Sequence, residues 1–284
     1  MNVIQLIEEV KSKGRKVYYY ANNGNAGDSL INMGFYELAI EKKLDYGLLS
    51  LNKIDILKKG DIVFIAGGGA LVPEWDATSK FILDLLNYDV ELVILPQSIR
   101  GIDHVMGKLK QNTIIFCREK FSYQYCKNIR PDLKIFLDHD MAFYAQPEKI
   151  LNEAVKLKDY NVKNYLRLAA YYFHVIKSKS TKHLHAFRCD KEANQQLDVK
   201  RIKYNDISAV ARFGAGSYEN SLYSANKFLK IINMYDEVST DRLHVSVAAY
   251  LLGKKVNIYN NSYYKCEGVY EQSMKQSDRV KLIK

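Results

Sequence analysis

Short apolar runs alternate along the chain with longer amphipathic stretches. A run such as residues 61–66 has no polar face, as expected for a strand of a parallel sheet that is covered on both sides. Apolar residues three and four positions apart, as in residues 29–43, predict a helix. Because strand, loop and helix recur in this order, we predict an α/β fold with a doubly wound parallel sheet. The predicted strands are residues 16–21, 47–51, 61–66, 91–95, 112–117, 133–137, 184–187, 208–212, 237–240 and 256–259.

The alternation changes in the middle of the chain. Residues 143–182 combine helical, aromatic-rich sequence with a basic polar link, which indicates a domain boundary in this region. We therefore predict an N-terminal domain of residues 1–150 and a C-terminal domain of residues 151–284. It is left open whether residues 262–284 return to the N-terminal domain. The predicted helices are residues 2–13, 29–43, 78–87, 104–109, 120–126, 147–157, 161–176, 221–233 and an apolar helix after Thr240.

Composition narrows the class of protein. The chain has 284 residues, of which 48% are apolar, so it can bury the core of one large or two medium domains. It contains no run of about 18 apolar residues, and residues 1–10 lack the features of a signal peptide. The four cysteines are far apart and form no Cys-x-x-Cys pair, which indicates free thiols in a reducing compartment. We therefore expect a cytoplasmic protein.

The net charge of +10 is unevenly distributed. Residues 1–159 contain 21 basic and 21 acidic residues, whereas residues 160–284 contain 21 basic and 11 acidic residues. A basic half beside a neutral half indicates that the second half binds an anion or faces an anionic surface. The basic residues are scattered and form no dense run, so a phosphorylated small molecule or a lipid-linked phosphate fits at least as well as nucleic acid.

Polar clusters follow the predicted strands. In open α/β sheets, ligands bind beyond the carboxyl ends of the strands, so clusters in the first domain should line one edge of its sheet. We expect Arg188 and Asp190 to lie at the matching edge of the second domain, beside Arg242 and His244. Two such edges would make a cleft. The clusters of the first domain are residues 25–28, 67–69, 97–98, 118–119 and Asp140.

Arg242 and His244 stand where a strand passes into an apolar helix. The free N–H groups and the positive dipole end of a helix favour an anion, and Arg242 can bind a phosphate or a carboxylate with two hydrogen bonds. His244 can protonate or polarise a leaving group near neutral pH. A histidine in a helix often has only a structural role, but its place beside Arg242 favours a function.

Two groups of residues were weighed as metal ligands. Residues 138–140, Asp-His-Asp, offer two carboxylates and one imidazole with no second cluster, and His183 and His185 alternate on one strand. Each group has too few ligands, so we predict no metal site. Residues 67–69, Gly-Gly-Gly, match neither a dinucleotide-binding nor a phosphate-binding loop, but they let a ligand approach the backbone closely.

Eight short motifs follow one another between about Tyr18 and Glu271. They are Asn25-Ala26-Gly27-Asp28, Gly67-Gly68-Gly69, Leu95-Pro96-Gln97-Ser98, Arg118-Glu119, Asp140-Met141-Ala142-Phe143, Arg188-Cys189-Asp190-Lys191-Glu192, Thr240-Asp241-Arg242-Leu243-His244 and Asn261-Ser262-Tyr263-Tyr264-Lys265. In this order they resemble the motifs of the polysaccharide pyruvyl transferases. The chain departs from that pattern at residues 70–75, where Gly-Asn beside an acidic or aromatic residue is expected.

The resemblance implies a GT-B-like fold, in which two Rossmann-type domains face a central cleft. It implies transfer of the enolpyruvyl group of phosphoenolpyruvate to two hydroxyls of a sugar, which forms a pyruvate ketal and releases phosphate. The acceptor would be a bacterial surface polysaccharide or its lipid-linked precursor, with peripheral contact at the inner membrane surface. No cofactor, metal or nucleic acid is implied, because phosphoenolpyruvate is itself the donor substrate.

The resemblance also implies roles for residues. His244 is the candidate acid or, alternatively, the group that assists phosphate departure. Arg242 with Arg188 or Lys265 binds the donor, and Asp28, or as second choice Asp140, accepts the hydroxyl proton. Trp75 could stack on a sugar or simply cap the cleft. The remaining donor residues are Arg118, Asn261 and Ser262, and the acceptor residues are Asn25, Gly68, Gly69, Trp75, Gln97, Ser98 and Asp140.

Two other functions fit the same residues. A GT-B glycosyltransferase that uses a nucleotide sugar could employ the same fold and the same Arg242–His244 anion site. A non-catalytic carbohydrate- or phosphate-binding protein is the second alternative.

Overall fold

The computed structural model describes residues 1–158 and 161–283, and the chain forms two compact units. Unit 1 comprises Met1–Ala21 and Phe35–Met141, and unit 2 comprises Asn22–Gly34 and Ala142–Lys284. The predicted boundary at residue 150 stays a prediction. Within the described ranges the strands are β1 Val17–Tyr20, β2 Gly47–Leu48, β3 Ile62–Ile65, β4 Gly68–Leu71, β5 Glu91–Ile99, β6 Ile114–Cys117, β7 Lys134–Leu137, β8 His183–His185, β9 Glu237–Thr240, β10 Lys255–Tyr259 and β11 Val280–Ile283.

Helices connect the strands in both units. The helix α2 continues from the unit 2 segment into unit 1. The helices are α1 Val3–Ser12, α2 Ala26–Lys42, α3 Ala77–Leu85, α4 Asp103–Met106, α5 Lys120–Ile129, α6 Pro147–Asn152, α7 Val162–Lys177, α8 Ile207–Val210, α9 Tyr218–Asn233, α10 Leu243–Leu251 and α11 Lys265–Ser273. Three 3-10 turns, Leu51–Ile56, Met141–Tyr144 and Lys203–Asn205, lie between them.

Unit 1 is built on a parallel sheet in the order β2-β1-β3-β5-β6-β7, with β4 paired to the end of β5. All four residues of β3, Ile62–Ile65, are buried, as a strand covered on both faces requires. Helices α3, α4 and α5 cover the sheet with apolar residues such as Phe81, Val105 and Cys126. Unit 2 contains a second parallel sheet in the order β11-β10-β9-β8. The predicted α/β fold with parallel sheets is therefore confirmed.

Several predicted boundaries were wrong. Of residues 208–212, which were predicted as a strand, the first three lie in the short helix α8 and the last two follow it. Strand β5 does not stop at Leu95 but continues through Pro96 to Ile99, because Pro96 lies at a shift in the pairing with β6 where no ladder N–H is needed. Gly68 and Gly69 pair alongside this extension as part of β4, so the predicted glycine loop is partly a strand. Helix α11 and strand β11 had not been predicted.

Helix α2 begins three residues earlier than predicted, at Ala26 instead of Ser29. The predicted polar loop of residues 22–28 therefore ends in a first helical turn. Asp28 lies inside that turn, and its side chain bonds back to the turn's first residues. The Gly- and Asn-rich composition hid this start, because such residues are typical of turns.

Candidate active site

The first turn of α2 is closed by a pair of reciprocal hydrogen bonds. The Gly27 N–H donates to Oδ1 of Asn25 (2.8 Å), and the Asn25 N–H donates to Oδ2 of Asp28 (2.8 Å). The arrangement resembles a capping box, except that Asn25 accepts from the second helical residue, and it satisfies backbone donors at the start of the helix. Asn25 and Asp28 are thus held in fixed positions at the N-terminus of α2.

The second element is the passage from β9 into α10. The Arg242 N–H donates to Oγ1 of Thr240 (2.9 Å), which turns the chain out of the strand. The body of α10 is buried, with Val245 and Val247 closed to solvent, whereas His244 in the first turn is half-buried. The strand-to-helix passage therefore presents an imidazole at the start of a buried helix, as the sequence predicted.

These two helix starts meet within unit 2. A methyl group on Gly27 would lie 2.7 Å from Nδ1 and 2.8 Å from Cβ of His244, which is closer than side chains approach. Only glycine lets the backbone of α2 come this close to the imidazole. His244 thus lies against the first turn of α2, which also carries Asp28 and follows Asn25.

A third helix start adjoins the first two. Ser29 Oγ donates to the Gly214 carbonyl (3.3 Å), just before α9, and Asn32 Nδ2 donates to Oγ of Ser221 (3.4 Å) in the first turn of α9. Gly214 has a φ of +130°, which few side chains would allow. The first turn of α2 therefore adjoins the start of α10, and α2 is also bonded to the segment before α9 and to the first turn of α9, an arrangement that favours a bound anion. Sequence reasoning missed residues 213–217, although Gly-x-Gly-Ser before an amphipathic helix was a signal for them.

Charged side chains beside this centre form one alternating chain. Lys265 pairs with Glu192, Glu192 with Arg188 (2.5 Å) and Arg188 with Asp190 (2.7 Å). Asp190 pairs in turn with Arg242 (2.9 Å). Arg242 also makes two hydrogen bonds to Asp206 through Nε and Nη2. Cations and carboxylates therefore alternate over six residues in unit 2.

A further ion pair, between Asp241 and Arg201, holds the backbone of Arg188 in this alternating chain. Asp241 is closed to solvent and accepts from the Arg188 N–H (2.7 Å) and from Nη1 of Arg201 (2.8 Å). Arg201 also donates to the Arg188 carbonyl (2.6 Å). Two backbone bonds and one ion pair thus fix Arg188. Asp206, Asp241 and Arg201 were missed as members of the site, because nothing local in the sequence marks which distant charges will pair.

The alternating chain changes what the cations can do. Arg188, Arg242 and Lys265, all predicted to bind the donor, are largely buried and already paired with carboxylates. The contacts of Arg242 occupy Nε and Nη2, so Nη1 is the group with donor capacity to spare among its described contacts. The carboxylates orient the guanidinium groups and offset their positive charge.

Burial and neighbouring charge shift several pKa values in this chain. Burial disfavours the charged form of Asp190, but the Arg188 hydrogen bond and the charges of Arg242 and Arg188 outweigh it and hold the Asp190 pKa well below its usual range. Burial, reinforced by the charge of Arg188, lowers the pKa of Lys265 to about 8, against the opposing effect of Glu192. Lys265 is therefore the one of these cations that loses its proton near neutral pH.

Asn261 lies in the loop that follows β10. The side chain is 4% exposed, and neither Oδ1 nor Nδ2 has a hydrogen-bond partner within the described residues. An orphaned buried carboxamide is costly, so it marks a place where a polar ligand or water would be bound. The exposed Ser262 follows it, and the Ser262 N–H donates to the Glu192 carbonyl (3.2 Å).

The predicted residues of unit 1 form a separate cluster. Arg118 and Asp140 are almost completely buried and are joined by a 2.6 Å ion pair, and Arg118 Nε donates to Ser98 Oγ (2.9 Å). The pair ties the ends of β5, β6 and β7 together. In this structure the Arg118 guanidinium therefore faces protein groups and not solvent.

Gln97 holds the glycine strand in place. Its Nε2 donates to the Ala66 carbonyl (2.6 Å), and its Oε1 accepts from the Ala70 N–H (3.2 Å). Gly67 has no room for a side chain, because a methyl group there would lie 2.8 Å from the Pro96 carbonyl. Trp75 differs from these residues, since it is 42% exposed and open to a ligand.

The residues weighed as metal ligands have other partners. Asp138 accepts from the Val3 N–H (2.7 Å), and His183 Nε2 bonds to Ser239 Oγ (2.9 Å). Within residues 1–158 and 161–283, no three His, Cys, Asp or Glu side chains are grouped to hold a metal ion. No helix in the described part of the chain is long and apolar enough to cross a membrane.

Comparisons with known proteins define the class. The family model described as polysaccharide pyruvyl transferase matches residues 4–263, so the chain belongs to the polysaccharide pyruvyl transferase family. The resemblance seen in the sequence is thereby confirmed. The family is one of enzymes that transfer pyruvyl groups to polysaccharides.

A solved structure is similar over the whole chain. It is the crystal structure of an uncharacterized protein from Klebsiella pneumoniae subsp. pneumoniae, with 27% sequence identity, a TM-score of 0.74 and coverage of 100% of both chains. No curated protein gives a match.

Proposed function

We propose that the protein transfers the enolpyruvyl group of phosphoenolpyruvate to two hydroxyls of one sugar and forms a pyruvate ketal. The observation that carries the proposal is the contact between the first turn of α2 and His244 at the start of α10, with α2 also bonded to Gly214 before α9, in a chain of this family. Such a centre suits a multiply charged phosphate ester better than a neutral ligand. His244 adds a group that can donate a proton at the same place.

The donor would bind between the helix starts and the alternating charge chain. Its phosphate would accept from backbone N–H groups in the first turn of α10, and Nη1 of Arg242 would bind the carboxylate or the phosphate. The orphaned carboxamide of Asn261 and the hydroxyl of Ser262 provide further hydrogen bonds. Arg188 and Lys265 would contribute mainly by neutralising carboxylates, since Arg188 is paired with Glu192 and Asp190, and Lys265 is paired with Glu192.

The proton balance gives His244 and Asp28 their roles. Protonation of the donor methylene by His244 would give a methyl group and an oxocarbenium-like carbon. One sugar oxygen would attack that carbon, and a second would replace the departing phosphate. Of the two hydroxyl protons, one restores His244 and the other leaves with the phosphate. Asp28, held at the start of α2, would accept the hydroxyl proton that is then returned to His244.

The acceptor side belongs to the same proposal. The exposed Trp75 would stack on a sugar ring, while Gln97, Ser98, Asp140 and Arg118 would shape the surrounding backbone. The GT-B arrangement predicted from the sequence, with a cleft that receives a lipid-linked precursor of a surface polysaccharide, remains part of this proposal. So does a cytoplasmic location.

The test is product analysis with phosphoenolpyruvate and a set of synthetic or lipid-linked glycosides. We expect one phosphate released per acceptor and a mass gain of about one pyruvyl unit that is stable to reduction, as a ketal is. A thermal shift with nucleotide sugars and none with phosphoenolpyruvate would instead support the glycosyltransferase alternative. Sugar binding without turnover of any donor would support the non-catalytic alternative.

A further inference from the structure

Helix α7, Val162–Lys177, exposes its apolar side instead of burying it. Val162 is 75% exposed, Leu166 66% and Ile176 69%. The buried positions include the polar residues Asn164 and His174. An amphipathic helix of a globular protein normally turns its apolar stripe to the core, whereas in α7 the apolar stripe is exposed.

The exposed apolar residues follow one face of the helix. They are spaced by three and four positions and cover about a third of the circumference, as expected of residues on one side of a helix. Tyr204, from a neighbouring 3-10 turn, extends the face, with its ring 4.8 Å from that of Phe173. The α7 face consists of Val162, Tyr165, Leu166, Ala169, Tyr172, Phe173, Ile176 and Tyr204.

The opposite side of α7 is anchored in unit 2. His174 bonds through Nδ1 to Tyr235 Oη (3.0 Å) and through Nε2 to the Tyr204 carbonyl (2.7 Å). Tyr171 packs beneath the Lys227 ammonium, 4.8 Å from its ring centre. These contacts fix which side of the helix faces outward, so the exposed stripe is a property of the folded unit.

The charged residues in the sequence of α7 and of the segment that follows it are of one sign. Residues 161–189 contain no Asp or Glu, and the polar positions in and after α7 carry six cations. Lys163, Lys179 and Lys182 are exposed at the borders of the face or just beyond its end. The six cations are Lys163, Arg167, Lys177, Lys179, Lys182 and Arg188, of which Arg188 is buried and paired with Asp190 and Glu192.

We propose that the α7 face docks on an anionic membrane surface. An apolar, aromatic-rich stripe bordered by Lys and Arg, with no acid, is the pattern of a helix that lies in the plane of the lipid headgroups. A second copy of the chain fits less well, because pairing α7 with itself in either direction brings cations together without a counter-charge. At 16 residues the helix is shorter than the roughly 20 needed to span a bilayer, so it lies on the surface.

The proposal rests on this helix and not on the proposed chemistry, so each can fail alone. Vesicles of phosphatidylglycerol and phosphatidylcholine, and of phosphatidylcholine alone, are mixed with the full-length protein and floated. We expect flotation with the anionic vesicles only, weakened at least tenfold by Leu166→Ser/Ile176→Ser and reduced by Lys163→Glu/Lys179→Glu and by high salt. The matched control, Ile40→Ser/Leu51→Ser, changes two apolar residues outside α7 that are 53% and 54% exposed, and it should float like the wild type.

Each alternative outcome is distinct. Equal flotation of the wild type and Leu166→Ser/Ile176→Ser, or no flotation of the wild type, overturns the proposal. A wild-type dimer in sedimentation equilibrium that Leu166→Ser/Ile176→Ser dissociates, without flotation, assigns the α7 face to a second copy instead. Far-UV circular dichroism and the thermal midpoint confirm that the variants fold, and phosphate release with a soluble acceptor should be unchanged in all three double variants.

Discussion

Two charge clusters lie after strands, one in each unit, and they are built differently. In unit 1, Arg118 and Asp140 form one pair that is closed to solvent. In unit 2, six charges alternate from Lys265 to Asp206, and Arg242 retains donor capacity at Nη1. A closed pair can brace three strands but has little capacity for a ligand, whereas a longer alternating chain can hold a cation in place and still let it bind. Position after a strand is therefore not sufficient to identify a binding cation.

The largest expected effect is at the centre of unit 2. His244→Gln should lower kcat for phosphate release from phosphoenolpyruvate by about 10²- to 10⁴-fold, the usual contribution of a positioned general acid. His104→Ala, an exposed histidine of unit 1, is the control and should retain full activity. Activity within tenfold of the wild type would remove His244 from the proton-transfer role.

The closed pair of unit 1 should instead affect stability. Arg118→Ala leaves Asp140 buried without this counter-charge and should cost about 3–5 kcal/mol of the free energy of unfolding, measured by urea denaturation. Its counterpart in unit 2, Arg242→Ala, should raise the KM for phosphoenolpyruvate by about 10- to 100-fold, since one charge-assisted hydrogen bond is worth about 1.5–3 kcal/mol.

The comparison between the two clusters would be reversed if Arg118→Ala changed the KM and Arg242→Ala changed only the stability. An Arg118→Ala protein of normal stability with a raised KM for phosphoenolpyruvate would mean that Arg118 binds the donor, as the sequence predicted.

The contact between α2 and α10 can be probed with one methyl group. Gly27→Ala would by helix propensity favour α2 by about 1 kcal/mol, yet the methyl group must displace the His244 ring and should lower kcat about tenfold. In a His244→Gln background, where there is no imidazole to misplace, Gly27→Ala should cause little further loss of kcat. Full additivity of the two losses would show that Gly27 acts on something other than the imidazole.

The smallest effect concerns pH. Lys265 has a folded-state pKa of about 8, and an unfolded lysine titrates near 10.4, so between these values the unfolded chain binds more protons. The free energy of unfolding should therefore gain a contribution that rises with pH above about 8, by at most about 1.4 kcal/mol per unit. The gain should be absent from Lys265→Met when both proteins are unfolded in urea from pH 7 to 9.5. Parallel curves for the two proteins would place the Lys265 pKa outside this window.

Local sequence patterns were enough to predict much of the fold. The apolar runs located nearly every strand, and the passage Thr240–His244 located a helix start with an imidazole in its first turn. What failed depended on distant partners. Arg242 pairs with Asp206, 36 positions away, and Lys265 with Glu192, 73 positions away, so the sequence offered the cations without their counter-charges.

The hydrophobic periodicity predicted the helix of residues 161–176 but not which of its sides is buried. A stripe of apolar residues at helical spacing is ordinarily assigned to the core. In α7 the polar residues His174 and Asn164 turn inward, where His174 finds hydrogen bonds with Tyr235 and the Tyr204 carbonyl. Only tertiary contacts reveal such an inversion.

Helix α2 has a consequence for how the protein is made. Its first residues, with Asn22–Gly34, belong to unit 2, although the rest of that unit begins only at Ala142. On the ribosome, the segment that carries Gly27 and Asp28 is therefore synthesised long before the residues it will pack against. A nascent or truncated chain that ends near Met141 contains all strands of the unit 1 sheet, but it lacks the unit 2 residues against which this segment packs. Assembly of the candidate centre is thus tied to completion of translation.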